Sequence, residues 1–327
     1  MKVLDSTYIN SGGGIELFNI LKNRINFDHY LVDHRLKISG TKNITISKNE
    51  KTRKDFLKKI NRKYTYLSLN NVPPPIHTNA RTIIYFHNIL ILETFNSNLS
   101  IKEKLMFKLK YLYIKHKAKE NYLWVVQTGL MRNKLSEAFN INFKNISVFP
   151  FFEKTIVLNT NKNKNTFIYV ASYLNHKNHN KLINSFIHAA QNTKTEIELH
   201  LTINENELKM KTIPRNFKIY FHGNISKSEV NALYKITEFL IYPSLNESFG
   251  LPLIEAANHG CIVISSDLPY VHEIIKPSLT FDPYSVKSIS NAILKAVKTD
   301  NLSKTKVLVE NKLDNFIDFI NIQNVQG

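Results

Sequence analysis

Acidic residues are scarce in this chain of 327 residues: 26 Asp and Glu stand against 44 Lys and Arg, a formal net charge of +18. Cysteine is scarcer still. The single one, Cys261, falls in an apolar run. That leaves no disulfide framework and no thiolate metal site, and it fits a reducing compartment. No uninterrupted apolar run reaches the length of a membrane span, and the opening MKVLDSTYINSGGG has no signal-peptide core. The expectation is a soluble or peripheral protein of the cytoplasm or the cytoplasmic face of the inner membrane. Glycine is thin, and no Gly-x-Gly-x-x-Gly run is present. No two aspartates lie two positions apart, and the scattered histidines lack metal-ligand spacing, so no metal site is expected. No internal repeat, nucleic-acid module or aromatic array for single strands is evident.

What is present suits a folded protein. Apolar residues make up 43% of the chain, and the length fits two domains of ordinary size. The excess of positive charge has three readings. Lys, Asn and Ile are abundant throughout, as AT-rich coding would produce. An anionic membrane or a phosphate-rich acceptor would use the same charge. Nucleic acid would too, but no module for it is present, and none is expected as a partner.

The rest is organised around residues 241–273, IYPSLNESFGLPLIEAANHGCIVISSDLPYVHE. Residues 236–242 predict a strand buried on both faces, and a polar loop, 244–250, follows. Pro252 suits a first helical position, because its fixed φ matches the helix and its missing N–H is not needed there. Gly260 suits the left-handed position beyond a helix end, and 261–265 predict the next strand. The loop would lie at the strand's carboxyl end, where open α/β sheets bind ligands. Glu247 precedes the helix and Glu255 lies one turn inside it, with seven residues between them. Carboxylates accept hydrogen bonds from the hydroxyls of a sugar or ribose. The amides of Phe249, Gly250 and Leu251, near the helix start, suit a diphosphate, and Gly250 lets backbone approach a ligand. A plainer reading leaves Glu255 complementing the helix dipole and Glu247 in solvent.

The frame E-S-F-G-L-P-L-I-E between buried strands resembles the donor-site motif of the family-4 retaining glycosyltransferases, which have the GT-B fold. The resemblance is strong in the second half of the chain and weak in the first. It implies that Glu247 contacts the donor sugar hydroxyls and that Phe249, Gly250 and Leu251 contact sugar and phosphate through their amides. It implies that Glu255 holds the ribose of the nucleotide.

Along the chain, short strands and helices alternate. Residues 2–5 predict a strand, 11–14 (Ser-Gly-Gly-Gly) a loop and 15–25 a helix. In GT-B enzymes such a glycine loop faces the ligand, which makes Gly13 and Gly14 candidates. Strands are expected at 29–33, 43–47, 64–69, 81–86, 123–127 and 146–149, and helices at 51–62 and 130–139. His87 closes the 81–86 strand. A lone histidine is commonly structural, but similar family members often carry one at this strand end near the donor sugar.

Residues 101–122 predict a long helix with an apolar stripe of Leu105, Leu109 and Leu112 and a crowd of lysines. With Phe107, Tyr111 and Tyr113 it suits an anionic membrane surface. The preferred reading is a domain helix with a solvated lysine face. The segment V-V-Q-T-G-L-M and Pro150 resemble the family, but Phe151-Phe152 stands where Asn-Gly is frequent.

Residues 155–165, polar and rich in Lys and Asn, suit a linker. A strand at 167–171 and a helix at 179–190 flank a loop containing Lys177, a point charge suited to phosphate. In the family this loop carries an Arg and, five residues on, a Lys that bind the diphosphate. Lys177 matches the Lys; Ser172 replaces the Arg. Strands follow at 196–203 and 217–221. Then comes the loop of Asn224 and Ile225, where the family binds the base largely through backbone, and a helix opened by a Ser226/Glu229 capping box. A short helix bearing Glu273, a helix at 284–297 and a periodic stretch at 304–322 complete the chain.

The expected fold is α/β, GT-B, with two Rossmann-like doubly wound domains facing a cleft. Residues 1–152 form the acceptor-side domain, 153–165 the linker and 166–327 the donor-binding domain, whose last helix GT-B chains send back to the first domain. The expected enzyme is a hexosyltransferase moving a sugar from a UDP-sugar or GDP-sugar to a glycan hydroxyl with retention, in O-antigen or capsule synthesis, on an acceptor that the family and the basic surface suggest is lipid-linked. Glu247 and His87 are the catalytic candidates; no metal or cofactor is expected. Two alternatives stay open: a GT-B sugar-nucleotide epimerase, against which the paired glutamates argue, and a non-enzymatic binder of anionic membrane or nucleic acid.

Overall fold

Neighbouring strand residues point to opposite faces, and both faces are apolar, so each half builds a sheet covered on two sides. The computed structural model describes residues 1–10, 12–36, 43–47, 49–93, 99–153, 161–208 and 212–322. Ser11 and most of the expected linker lie outside them.

The first half contains β1 (Lys2–Ser6), α1 (Gly12–Arg24), β2 (His29–Asp33), β3 (Ile44–Ser47), α2 (Glu50–Leu57), β4 (Thr65–Ser68), β5 (Arg81–Tyr85), α3 (Ile101–Lys117), β6 (Leu123–Val126), α4 (Gly129–Phe139) and β7 (Ile146–Val148). The second contains β8 (Asn163–Tyr169), α5 (His179–Gln191), β9 (Ile197–Leu201), β10 (Phe217–Phe221), α6 (Lys227–Ile236), β11 (Thr237–Tyr242), α7 (Leu251–Asn258), β12 (Ile262–Ser266), α8 (Pro269–Ile274), β13 (Ile275–Lys276), β14 (Leu279–Phe281), α9 (Val286–Lys298) and β15 (Lys306–Val307). α10 (Leu313–Asn321) comes last.

Two sheets result. One has seven strands in the order β3-β2-β1-β4-β5-β6-β7, the other six in the order β10-β9-β8-β11-β12-β14. The paired strands within each run parallel, and β13 and β15 form a separate antiparallel pair. The chain divides into a unit of Met1–Glu153 with Glu310–Gly327 and a unit of Lys154–Val309. The end of the chain is thus part of the first unit.

On β5 the alternation is direct. Ile83 and Tyr85 enter one core cluster, with Leu17, Phe18 and Leu21 of α1. Ile84 and Phe86 enter another, with Phe107, Ile114 and Leu135 of α3 and α4. α10 closes the first cluster. Phe316 stacks on Phe151 at 5.6 Å and lies 5.3 Å from Tyr85. The Lys312 amide donates to the Pro150 carbonyl at 2.7 Å, and Arg24 pairs with Asp314 at 2.7 Å. Phe151, out of pattern in the sequence, is therefore a core residue completed by α10. In the second unit Phe167 of β8 stacks on Phe239 of β11 at 4.8 Å and takes Phe186 of α5 edge-on.

Several expectations are corrected. Gly12, Gly13 and Gly14 form the first turn of α1 and not a loop. The helix expected over 51–62 stops at Leu57, and that over 101–122 stops at Lys117 because Ala118 turns extended. Leu105, Leu109 and Leu112 do not face the core: they are exposed, and Phe107 and Ile114 make the buried side of α3. Strand β8 starts at Asn163, inside the expected linker. α9 starts at Val286 because Ser285 caps it. The stretch 304–322 splits into β15 and α10, since pairing with β13 takes its first part.

Phe316→Ala is expected to lower stability by about 3–5 kcal/mol, the usual range for emptying a buried aromatic site; urea unfolding of the full chain checks it.

Candidate functional site

In the second unit, β8 and β11 adjoin in the sheet but not in the chain, and strand order reverses between them. Loops leaving such a pair turn to opposite faces and open a crevice at the strands' carboxyl ends. The loop after β8 carries Lys177; the loop after β11 carries Glu247.

These loops are sewn together. The Leu245 amide donates to the His176 carbonyl at 2.8 Å. The Tyr169 hydroxyl lies 2.8 Å from the Lys177 carbonyl and 2.9 Å from the Ser244 hydroxyl. Asn178, in the left-handed region at φ 63°, donates through Nδ2 to the Pro243 and Pro283 carbonyls at 3.3 and 2.8 Å. Ser266 and Tyr270 donate to the Ser244 carbonyl at 3.0 and 2.8 Å.

On this frame Lys177 Nζ meets Glu247 Oε1 at 2.5 Å, and the Tyr242 hydroxyl donates to the same oxygen at 2.8 Å. Both charged side chains are largely buried. Burial raises the Glu247 carboxyl, but the Lys177 charge and its hydrogen bond outweigh burial, and the net shift is downward. The Tyr242 hydroxyl is pushed well up, by burial first and then by Glu247. Glu247 is therefore an ionised acceptor beside a cation, the pairing suited to sugar hydroxyls next to a phosphate.

α7 begins three residues after Phe249's predecessor Ser248, at Leu251, with Pro252 second in the helix where the sequence places it first. Gly250 precedes it at φ 81°, and a Cβ there would lie 3.1 Å from Leu253 Cδ1. The left-handed backbone calls for glycine, and a Cβ would also press on the Leu253 side chain. Pro252 has no N–H and the Leu253 amide donates to the Gly250 carbonyl at 3.0 Å, so within the first turn the Leu251 amide is the one placed to serve an anion. The Phe249 ring is buried, so any ligand role falls to its backbone. Glu255, one turn in, is ion-paired with Lys227, the first residue of α6. Asn224 and Ile225 lie in the loop that feeds α6, where the expected Ser226/Glu229 capping box is formed.

The structure thus joins Lys177 to Glu247 and sets Glu255 against a lysine that the sequence reading missed. Its only signal was its place just beyond the candidate base loop.

The other candidates belong to the first unit. The His87 Nε2 lies 2.8 Å from the Leu69 carbonyl and 3.2 Å from Asn71 Nδ2, and the Asn71 Oδ1 accepts from the His87 amide at 2.6 Å. Burial pushes His87 down to about 4, so it is neutral at pH 7. A Cβ on Gly14 would lie 3.3 Å from His87 Cε1, whereas one on Gly13 would meet nothing within 4 Å. Gly14 lets the first turn of α1 approach His87; Gly13 has no such need.

Beside them lies a network that the sequence did not reveal, at the carboxyl end of β1. Arg53, fully buried, reaches Asp5 at 2.5 Å, the Tyr66 hydroxyl at 2.9 Å and Glu50 at 3.3 Å. Tyr66 also donates to Asp5, and Tyr8, at φ 73°, donates to Glu50 at 3.0 Å. Among the described residues no cluster of three His, Cys, Asp or Glu could ligate a metal.

Residues 151–312 match the family model described as Glycosyl transferases group 1, a span that takes in all of the second unit. The O-antigen chain mannosyltransferase RfbU of Salmonella typhimurium is 28% identical over 171 residues, 50% of this chain and 47% of that protein. The capsular polysaccharide biosynthesis glycosyltransferase CapH of Staphylococcus aureus is 30% identical over 154 residues, 43% of each. These alignments span less than half the length of either relative. The solved structure of Anabaena Alr3699/HepE in complex with UDP and glucose superposes with a TM-score of 0.63 at 13% identity, covering 91% of this chain and 90% of that one. The chain has the GT-B fold of two Rossmann-like, parallel-sheet units.

Two outcomes test the site's construction. Lys177→Met removes the largest opposition to the burial of Glu247, leaving His176 and the Ser244 hydrogen bond against it, so its pKa should rise. In the native chain the depressed pKa gives stability that is present above the ordinary glutamate value of 4.5 and is lost as pH falls through the folded value. The variant should therefore be less stable at pH 7, and the gap should narrow as pH drops below 4.5, as read by urea unfolding at several pH values. Gly250→Ala should destabilise by about 1–3 kcal/mol through its left-handed backbone, checked by the same unfolding experiment.

Proposed function

We propose that this protein is a nucleotide-sugar-dependent glycosyltransferase, moving a hexose from a UDP-sugar or GDP-sugar to a glycan hydroxyl with retention of configuration. The observation that carries the reading is the Lys177–Glu247 pair at the β8/β11 reversal, followed at once by Gly250 and the amino terminus of α7. On this reading it has the family-4 pattern. Glu247 accepts hydrogen bonds from the sugar hydroxyls. The amides of Phe249, Gly250 and Leu251 and the Lys177 ammonium take up the charge that develops on the leaving diphosphate. Glu255 holds the ribose, with Lys227 fixing its carboxylate, and backbone at Asn224 and Ile225 meets the base. His87, neutral and ordered by Leu69 and Asn71, with Gly14 giving it room, is the first unit's own candidate for a ligand contact.

The transferred sugar passes through an oxocarbenium-like state while the acceptor hydroxyl loses its proton. The reading routes charge stabilisation through the chain's own cations and amides, in keeping with a sequence that has no Asp-x-Asp pair. The names of RfbU and CapH support a place in O-antigen or capsule synthesis; a lipid-linked acceptor at the cytoplasmic face of the membrane is part of the same proposal, drawn from the basic surface of the chain. No helix among the described residues is long and apolar enough to cross one.

Thermal unfolding with UDP, GDP, ADP and CMP and their sugars tests the reading. One diphosphate family should raise the midpoint by a few degrees, since a ligand that binds only the folded state stabilises it. Lys177→Ala and Glu255→Ala should abolish the shift. No shift with any nucleotide at millimolar concentration, together with salt-sensitive binding to vesicles or DNA, would replace the enzyme by a binding protein.

A further inference from the structure

The helix α3 has two apolar faces, and the core uses one. Phe107 and Ile114 are buried. On the other side Ile101 is 88% exposed, Leu105 59%, Leu109 59% and Leu112 50%. At about 100° per residue these four fall within an arc of about 80°, opposite Phe107 and Ile114. Single exposed leucines need no explanation, but a contiguous row along one helix face marks an interaction surface.

The borders of the row name the partner. Lys104, Lys108 and Lys115 run along one side and Lys102 lies on the other, all exposed. The helix is about 25 Å long, and its lysines keep it from crossing a bilayer. An apolar row flanked by ammonium groups fits the boundary between acyl chains and anionic headgroups, with lysine stems reaching along the apolar surface.

We propose that this face of α3 seats the protein on an anionic lipid surface, the leucines entering the acyl boundary and the lysines meeting headgroup charge. A second copy of the chain fits less well, because a two-fold contact on this face would bring the lysine rows together. Nucleic acid would take the lysines and leave the leucines in water. The inference deepens the membrane part of the proposed function but rests on α3 alone, so it stands or falls independently of the donor site.

The test is co-sedimentation of the full chain with vesicles of phosphatidylcholine alone and of phosphatidylcholine with phosphatidylglycerol. Binding is expected only with the anionic lipid, weakening at high salt. Leu105→Ser/Leu109→Ser and Lys104→Gln/Lys108→Gln should each weaken it about tenfold or more. Neither change touches the core, and an unchanged nucleotide-induced thermal shift in both variants separates loss of docking from loss of the donor site. The proposal is overturned if wild-type protein ignores anionic vesicles, or if binding survives the leucine change, since the net charge of +18 would then suffice. Light scattering that shows a dimer dissolved by the leucine change would overturn it too.

Discussion

A carboxylate taken out of water needs a cation, and Glu247 depends on Lys177 for its charge. The two residues are 70 positions apart, on loops that leave adjacent strands. Each loop is shaped to deliver its member. Asn178 takes a left-handed backbone and ties the first loop to Pro243 and Pro283, while the Ser244 carbonyl collects Ser266 and Tyr270. Tyr169 and Tyr242, the last residues of β8 and β11, bury their rings in the core and turn their hydroxyls to these loops. Gly250 then makes the turn that starts α7, which sets Glu255 against Lys227. The pair is the point from which the rest of the site is laid out.

The first unit repeats the logic with other residues. Its strand order reverses between β1 and β4, and there Asp5, Arg53 and Tyr66 form a buried polar knot. A lone Arg53 at that depth would be costly, so the partners come as a set. The knot and the left-handed Tyr8 and Asn71 fix the loops at the carboxyl ends of β1 and β4, beside which His87 is held. The unit's core is completed only at the end of the chain. Phe316 stacks on Phe151, which explains an aromatic where the family's pattern has a small polar pair.

The helix α3 shows where periodicity misleads. Its leucine spacing makes the evident apolar stripe, yet the aromatic Phe107 and the branched Ile114 fill the space against Phe86, Trp124 and Leu135. Two apolar arcs half a turn apart look alike in sequence; the shape of the space beneath the helix chooses between them.

Much was legible beforehand for a local reason. A strand buried on both faces needs an unbroken apolar run, a helix start needs a cap, and a left-handed turn favours glycine. Those rules are written in consecutive residues. They located β2 and β10 to the residue, the α6 capping box, and the loop of Glu247 and Gly250 with the helix of Glu255 behind it. The partners of those glutamates obey no local rule. Lys177 carried a family signal, but Lys227 and Arg53 are two ordinary members of the chain's 44 Lys and Arg residues. Only the packing of separate elements brings Lys227 of α6 to Glu255 of α7 in one unit and Arg53 of α2 to Asp5 of β1 in the other, and only packing decides that α10 completes the first unit. The sequence determined the elements and the type of chemistry at the motif. The tertiary structure decided which charges meet, because charge pairing acts through space and the distance along the chain does not enter it.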